Sequence, residues 1–181
     1  MKHKYLTVIF FFISTLSATA QTPGGVDKPM VWSHDSASFR VSAGAGLTYI
    51  GVSKVYGEKE QAIWSLGSGK AITCMQTTER AANLGNGTFM NYAKDSLPEM
   101  RLYSYTTSSN MGNGQTLHIG RNGNTQLPVK NLDGRTVEYT VFDRRLSDTE
   151  RCRVESYLAL KYGVSLRSSY LNSRSEVIWN G

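Results

Sequence analysis

The chain is poor in the residue patterns that mark catalytic, metal-binding and membrane-spanning proteins. Its 181 residues contain two cysteines and three histidines, with no Cys-x-x-Cys or His-x-x-x-His pair, so a structural zinc site is not predicted. No serine, threonine or cysteine stands in a recognisable nucleophile motif with a base. The apolar run at residues 5–16 is shorter than the roughly 20 residues that span a bilayer.

The start of the chain has the layout of a secretory signal peptide. A basic start at residues 2–4 precedes the apolar run at 5–16 and a small-x-small cleavage site, Ala-Thr-Ala, at 18–20. The alternative, an uncleaved membrane anchor, is disfavoured by the short apolar run. We therefore expect a secreted or outer-surface protein with a leader at 1–20, a single domain at 21–181 and no membrane span after cleavage.

The basic residues are scattered along the chain. The formal net charge is +6, and removal of the leader with Lys2 and Lys4 leaves +4. No basic stripe with interleaved aromatic residues appears, so nucleic acid is not an expected partner.

Short apolar-rich runs alternate with glycine- and asparagine-rich turns from residue 26 onward, a texture typical of an all-β sandwich. No segment between these runs is long or periodic enough to be the crossover helix of a parallel sheet, so the strands are expected to be antiparallel. The predicted strands lie near Met30–Trp32, Phe39–Val41, Leu47–Tyr56, Ala62–Leu66, Ala71–Met75, Thr88–Tyr92, Arg101–Thr106, Gln115–Gly120, Arg135–Phe142 and Glu176–Trp179.

The strand at 135–142 is expected to bury one face only. Its alternation places Glu138 on the solvent side, and Phe142 is apolar where the pattern predicts a polar residue. The face predicted to be buried consists of Val137, Tyr139 and Val141.

A helix is predicted over residues 147–162. Ser147 and Glu150 have the spacing of a capping box, and Gly163 can take the left-handed conformation that ends a helix. The predicted buried stripe consists of Val154, Tyr157, Leu158 and Lys161 or Tyr162. The predicted wet face consists of Arg151, Arg153 and Glu155.

This strand and helix resemble the closing segment of laminin-G-like, concanavalin-A-like jelly-roll modules in large exported proteins of Bacteroidetes. In that family an aromatic-Asp/Asn-Arg turn ends the strand and a Tyr-Leu-Ala-hydrophobic-Lys-Tyr-Gly run ends the helix; here these are residues 142–144 and 157–163. The likeness is dense over 117–166 and looser at 23–26 and 170–179. It implies an all-β, antiparallel jelly-roll sandwich with one helix in the C-terminal region, at about 147–162, a surface or adhesion role, and no shared catalytic residue.

Members of that family usually continue past the strand that corresponds to Val177–Trp179, whereas this sequence stops at Gly181. A natural short form, a gene fragment and a truncated product are the alternatives. The fragment hypothesis predicts that Val177–Trp179 is an unpaired edge, and it weakens if this strand pairs inside the sheet with Trp179 buried.

Trp64, Tyr103 and Tyr105 are the candidate carbohydrate-binding residues, because sugar sites use aromatic rings beside hydrogen-bonding side chains. By strand alternation Tyr103 and Tyr105 share one face. The alternative is that all three rings fill the core of the sandwich.

Cys74 and Cys152 are candidates for a disulfide, which oxidising compartments favour and which would contribute ~4 kcal/mol by closing a long loop. The alternative is two unpaired residues, with Cys74 buried in a strand and Cys152 on the helix.

Other titratable residues give no clear site. Calcium is the one cofactor considered, with the loop acids as candidate ligands: Asp27, Asp35, Asp95 and Asp133. No two of them have a recognisable ligand spacing, so no cofactor is predicted. Glu58 and Glu60 have the spacing of a glycosidase pair but are expected to lie in a solvated turn. His34 is expected in a turn, and His118 on a strand, facing solvent or a cross-strand neighbour.

These patterns predict a non-catalytic extracellular or cell-surface module for adhesion or carbohydrate binding, with a glycan or a surface protein as partner. The alternatives are a spacer domain with no ligand of its own and a glycan-active hydrolase. Exposed rings on the concave sheet would favour sugar binding. A face closed by residues 135–162, or by those from 164 onward, would favour a spacer.

Overall fold

The computed structural model describes residues 22–56, 60–67, 73–77, 81–82, 87–93, 100–123 and 129–181. The predicted leader, Glu58 and Asp95 lie outside these ranges. The strands described are β1 (Val31–Ser33), β2 (Ser38–Val41), β3 (Leu47–Val55), β4 (Gln61–Leu66), β5 (Thr73–Gln76), β6 (Ala81–Ala82), β7 (Gly87–Ala93), β8 (Met100–Thr107), β9 (Gln115–Ile119), β10 (Lys130–Asn131), β11 (Gly134–Phe142), β12 (Tyr170–Leu171) and β13 (Val177–Trp179). The helix is α1 (Asp148–Tyr162), and a 3-10 turn lies at Pro23–Gly25.

Each predicted strand is confirmed where the structure describes it; the first two residues of the one predicted at Ala71–Met75 lie outside the described ranges. The strands missing from that prediction, β6, β10 and β12, are two residues long. The chain is therefore mostly β-structure in the described ranges, with one helix. In the same ranges no helix has the length and apolar character that a membrane crossing requires.

The first sheet has the strand order β1-β11-β3-β8-β7, and its ladders are all antiparallel. β11 runs beside β3 for almost its whole length, from Gly134 opposite Val55 to Phe142 opposite Thr48. β1 pairs on its other side. β11, the strand of the segment that resembles the closing segment of the family, is therefore an internal strand of the first sheet.

The second sheet has the order β2-β9-β4-β5-β6, with β10 beside β4. The β10–β4 pair is parallel and two residues long, whereas the other ladders are antiparallel as predicted. Several pairs of strands that are consecutive in the chain, such as β1 and β2 or β3 and β4, lie in different sheets. The chain thus crosses repeatedly between two layers.

The two sheets pack face to face around a shared core. The ring of Trp64 in the second sheet lies 6.0 Å from that of Tyr49 and 5.6 Å from that of Tyr105, both in the first sheet. Tyr139 of β11 stacks on Tyr49 at 6.2 Å. All four of these side chains have no exposed surface.

A bulge in β11 changes which of its residues face this core. The register with β3 shifts between Thr136 and Glu138, so Val137 falls outside the regular alternation. Tyr139 and Val141 belong to the core between the sheets, but Val137 packs with the residues beneath α1. The prediction that these three share a face is wrong for Val137, because the bulge inserts an extra residue.

α1 begins and ends as predicted. Ser147 Oγ accepts a hydrogen bond from the Glu150 amide at 3.3 Å, and Glu150 Oε2 accepts one from the Ser147 amide at 2.9 Å. Arg144 donates to both oxygens of the same carboxylate, at 2.8 and 3.1 Å, and chiefly for that reason the pKa of Glu150 falls to about 2. Gly163 follows the helix with φ of 64° and donates its amide to the Ala159 carbonyl.

The apolar side of α1 covers the outer face of the first sheet. Phe142 points to this face, which explains why it breaks the polar alternation of its strand. The fully or nearly fully buried residues that meet here are Ile50, Val52, Leu102 and Phe142 from the sheet and Val154, Leu158 and Ala159 from the helix.

The 3-10 turn at Pro23–Gly25 packs against a second side of α1. Arg153 donates from Nε to the Gly24 carbonyl at 2.9 Å and from Nη2 to the Gly25 carbonyl at 2.5 Å. Gly24 has φ of 60°, and a Cβ there would lie 2.5 Å from the backbone carbonyl of Arg153. Only glycine suits this contact, because both the conformation and the space exclude a side chain.

β12 also packs against α1, and the helix face that was predicted to be exposed to solvent is largely enclosed. Arg151 is 8% exposed and Glu155 has no exposed surface, and the two form an ion pair of 2.8 Å. Ser156 next to them accepts the Leu171 amide at 2.9 Å. The predicted solvent exposure of Arg151 and Glu155 is wrong, because α1 is enclosed on more than one side.

Residues 121–123, which follow β9, cover part of the outer face of the second sheet. Ser65 Oγ donates to the Arg121 carbonyl and accepts from the Gly123 amide, both at 2.8 Å. Cys74 packs beside Ala62 and Val129.

β12 and β13 form a hairpin apart from the two sheets. In the described ranges β13 pairs with β12 alone, and its Trp179 is 69% exposed. β13 is therefore not the unpaired edge that the fragment hypothesis predicts, and it is also not the strand inside the sheet with Trp179 buried that would weaken the hypothesis.

Replacing Ser147 by Ala should lower the free energy of unfolding by about 1 kcal/mol, because the Glu150 amide loses its side-chain acceptor. Urea denaturation measures the change. Thr149→Ala, at an exposed position in the same turn, is the control and should have a smaller effect. Equal losses in both variants would contradict the role of the capping box.

Candidate functional site

A buried carboxylate joins three elements of the structure. Glu138 has no exposed surface, and its Oε1 accepts a hydrogen bond from Trp32 Nε1 at 2.8 Å. Its Oε2 accepts from Lys161 Nζ at 2.6 Å and from the Tyr162 hydroxyl at 2.5 Å. His34 Nε2 lies 3.5 Å from the same oxygen. We call these five residues the Glu138 cluster.

The elements that carry the cluster explain its position. Trp32 lies on edge strand β1, and Lys161 and Tyr162 are the last two residues of α1. Glu138 follows the bulge in β11, and bulges commonly redirect side chains. Since β1, β11 and α1 each contribute, the cluster holds the end of the helix against the first sheet.

Hydrogen bonding keeps the central carboxylate charged. Burial alone would raise the pKa of Glu138, but hydrogen bonds from Lys161, Tyr162 and Trp32 outweigh burial and lower it. The hydrogen bond to Glu138 raises the pKa of Lys161. Burial is the larger cause, and the hydrogen bond to Glu138 the next, that raises the pKa of Tyr162 to about 12. The charge pattern at neutral pH is therefore one carboxylate, one ammonium and one neutral phenol.

This arrangement suits a structural role better than acid–base catalysis. Both carboxylate oxygens already accept hydrogen bonds, and a general acid needs a raised rather than a lowered pKa.

Glu138 was expected to be solvent-exposed, and this expectation is wrong. One signal in the sequence could have found its burial. Phe142 lies on the same side of β11 by alternation, and an apolar residue there indicates that something covers the outer face of this strand.

The second candidate is an apolar surface where α1 meets the β12–β13 hairpin. We call Leu160, Val177, Ile178 and Trp179 the hairpin surface; they are 59%, 57%, 50% and 69% exposed. Leu160 and Ile178 together line two adjoining grooves, of about 490 and 460 Å³. Exposed large apolar side chains grouped in this way mark contact sites for other molecules.

The three aromatic residues considered for carbohydrate binding lie in the core instead. Trp64, Tyr103 and Tyr105 have no exposed surface, so none offers a ring face to a sugar. Tyr103 and Tyr105 do share a face, as alternation predicted, and it is the face turned toward the second sheet. This is the arrangement that the core-filling alternative describes.

The two cysteines are both free thiols. Cys74 is buried on the outer side of the second sheet, and Cys152 lies on α1, which covers the first sheet. Burial raises the pKa of both thiols. The disulfide alternative is therefore not what the structure contains.

The remaining candidates form no recognisable site. His118 Nδ1 is hydrogen-bonded to Ser38 Oγ of the neighbouring strand at 2.9 Å, a cross-strand contact as predicted. Asp35 forms an exposed ion pair with Arg135 at 3.6 Å. In the part of the chain that the structure describes, no group of three or more acidic, histidine or cysteine side chains could hold a metal ion, so the calcium candidate gains no support there.

Part of the chain is similar to a described protein family. A family described as a domain of unknown function, DUF8202, matches residues 150–181. This range covers most of α1 and the whole β12–β13 hairpin, and it contains the hairpin surface. No curated protein and no solved structure matches the chain.

Replacing Glu138 by Gln should lower the free energy of unfolding at pH 7 by about 2 kcal/mol, because the buried hydrogen bonds lose their charged acceptor. The folded-state pKa is lowered, so this stabilisation is present above the ordinary glutamate pKa of about 4.3 and is lost as the pH falls through the folded-state value. The difference between wild type and variant should therefore shrink at acidic pH.

Urea denaturation at pH 7 and at acidic pH measures this effect. Asp133→Asn is the matched control, since it removes an exposed carboxylate just before the same strand. A difference between Glu138→Gln and wild type that is independent of pH would show that the charge of Glu138 contributes nothing.

Proposed function

We propose that this chain is a non-catalytic module of an exported, cell-surface protein, and that it acts by packing against another polypeptide. The observation that carries the proposal is the hairpin surface, where four large apolar side chains are each at least half exposed. Apolar patches of this kind are typical of protein–protein contact sites.

The laminin-G-like, concanavalin-A-like jelly-roll assignment remains part of this proposal. It is supported by two packed, antiparallel sheets between which the chain crosses repeatedly, and by the strand, turn and capped helix of the closing segment. The Tyr-Leu-Ala-Leu-Lys-Tyr-Gly run of the resemblance has clear physical roles here: Leu158 and Ala159 pack on the sheet, Lys161 and Tyr162 bind Glu138, and Gly163 ends the helix.

Within the predicted role in adhesion or carbohydrate binding, the same features support adhesion, and they also support the alternative of a spacer domain. α1, together with Val164, Leu166 and Tyr170, closes the outer face of the first sheet and leaves no aromatic ring there for a sugar to stack on in the cluster that it buries. The aromatic residues considered for sugar stacking are in the core. We therefore assign the partner as protein and do not retain Trp64, Tyr103 and Tyr105 as a glycan site.

Export is the second part of the proposal, and it is supported by the signal-peptide layout of residues 1–20. Expression of the full sequence in a bacterium with a general secretory pathway should yield a processed protein that begins at Gln21. Intact-mass measurement of the exported fraction tests this. A protein that keeps residues 1–20 in the membrane fraction would overturn it.

A contact with polypeptide through the hairpin surface should be detectable by site-specific cross-linking on intact cells. A photoreactive amino acid in place of Ile178 should give a protease-sensitive adduct. The same amino acid in place of Arg40, which is exposed on β2, should give much less. Adducts that only a glycosidase removes, or equal yields from both positions, would count against the proposed function.

A further inference from the structure

The hairpin surface includes the open edge of a β-strand. In the described ranges β13 is hydrogen-bonded to β12 on one side and to no strand on the other. An open edge presents backbone N–H and C=O groups that another extended chain can pair with. Charged and proline residues commonly protect an edge strand against such pairing, and β13 has neither, since Val177, Ile178 and Trp179 are all apolar.

Both faces of β13 offer side-chain contacts to such a chain. Successive residues of a strand point to opposite faces, and all three residues of β13 are at least half exposed. Ile178 also lines both grooves beside Leu160, of about 490 and 460 Å³. A strand added to β13 would find main-chain partners along the edge and apolar pockets for alternate side chains.

The size of the surface favours a peptide segment over a second copy of this chain. Four partly exposed side chains present on the order of 500 Å² of apolar area, whereas a stable interface takes about 800 Å² from each partner. An added strand needs less area, because main-chain hydrogen bonds supply much of its affinity.

Charge around the surface favours an acidic partner. The residues that line the two grooves include one cation, Arg153, and no carboxylate. In the segment 164–181 the charged residues are Arg167, Arg174 and Glu176, all of them exposed, so the local balance is basic. Acidic residues that flank an apolar strand would therefore gain favourable electrostatic contacts.

We propose that β13 is a docking site for an extended, apolar peptide segment with acidic flanks, which joins the β12–β13 hairpin as a third strand and places side chains in the grooves beside Leu160. This inference rests on the proposed function and specifies its partner. Strand addition of this kind takes affinity from the backbone and specificity from the pockets.

The test uses the processed protein and a fluorescein-labelled synthetic peptide, Glu-Val-Thr-Val-Thr-Val-Glu, in fluorescence anisotropy titrations. A peptide with proline at its central position cannot pair along the edge and should not bind. A peptide with lysine at both ends should bind more weakly than the acidic one, and the difference should shrink at high salt.

Protein variants locate the contact. Ile178→Ser and Trp179→Ser should each weaken binding of the acidic peptide by at least about tenfold, as for central contact residues. Tyr56→Ser removes a ring that is 41% exposed elsewhere on the molecule and should leave the affinity unchanged. Circular dichroism of each variant checks that the fold is kept, which is expected at these exposed positions.

Several results would overturn strand addition. These are no binding of the acidic peptide, equal binding of the proline peptide, and unchanged affinity in both variants. Sedimentation that shows a dimer of the protein, lost in Ile178→Ser, would assign the surface to a second copy instead. If cross-linking at Ile178 succeeds while the peptide fails to bind, the proposed function stands and only the strand-addition mechanism is wrong.

Discussion

The first sheet is apolar on both faces, and the rest of the structure depends on this constraint. One face packs against the second sheet through Tyr49, Tyr105 and Tyr139, and the other would expose Ile50 and Phe142 to water if α1 were absent. Burial of such residues is the dominant favourable term in folding. The helix is therefore a third layer that the sheet requires.

The two ends of α1 are held by polar contacts of different kinds. At the first turn Arg144 and Ser147 bind Glu150, in a partly exposed setting where such pairs contribute modestly. At the last turn Lys161 and Tyr162 bind the fully buried Glu138, where loss of one partner is costly. The first set of contacts defines where the helix starts, and the second fixes it to the sheet. Between them the helix has little freedom to shift along the surface it covers.

Local sequence patterns predicted the elements better than their environments. Strand positions and both helix ends follow from alternation, turn residues and capping, all of which are short-range signals. The exposure of Glu138, Arg151 and Glu155 was predicted wrongly, because it depends on which segments cover β11 and α1. The bulge before Glu138 could not be predicted either, since it is a property of the pairing with β3. The hairpin surface is visible in the sequence only as a short apolar strand, and its exposure depends on β13 lying outside both sheets.

The contact between Gly24 and the backbone of Arg153 has a practical consequence for anyone who produces this protein. The residues just before β1 are part of the helix packing: Val26 is 2% exposed, and the carbonyls of Gly24 and Gly25 are the acceptors for Arg153. An affinity tag or fusion partner joined directly to Thr22 would start at the surface of α1 and crowd it. A recombinant form should carry a flexible spacer before Thr22, and a form that begins at the first strand would lose the contacts that Gly24 and Gly25 make with Arg153.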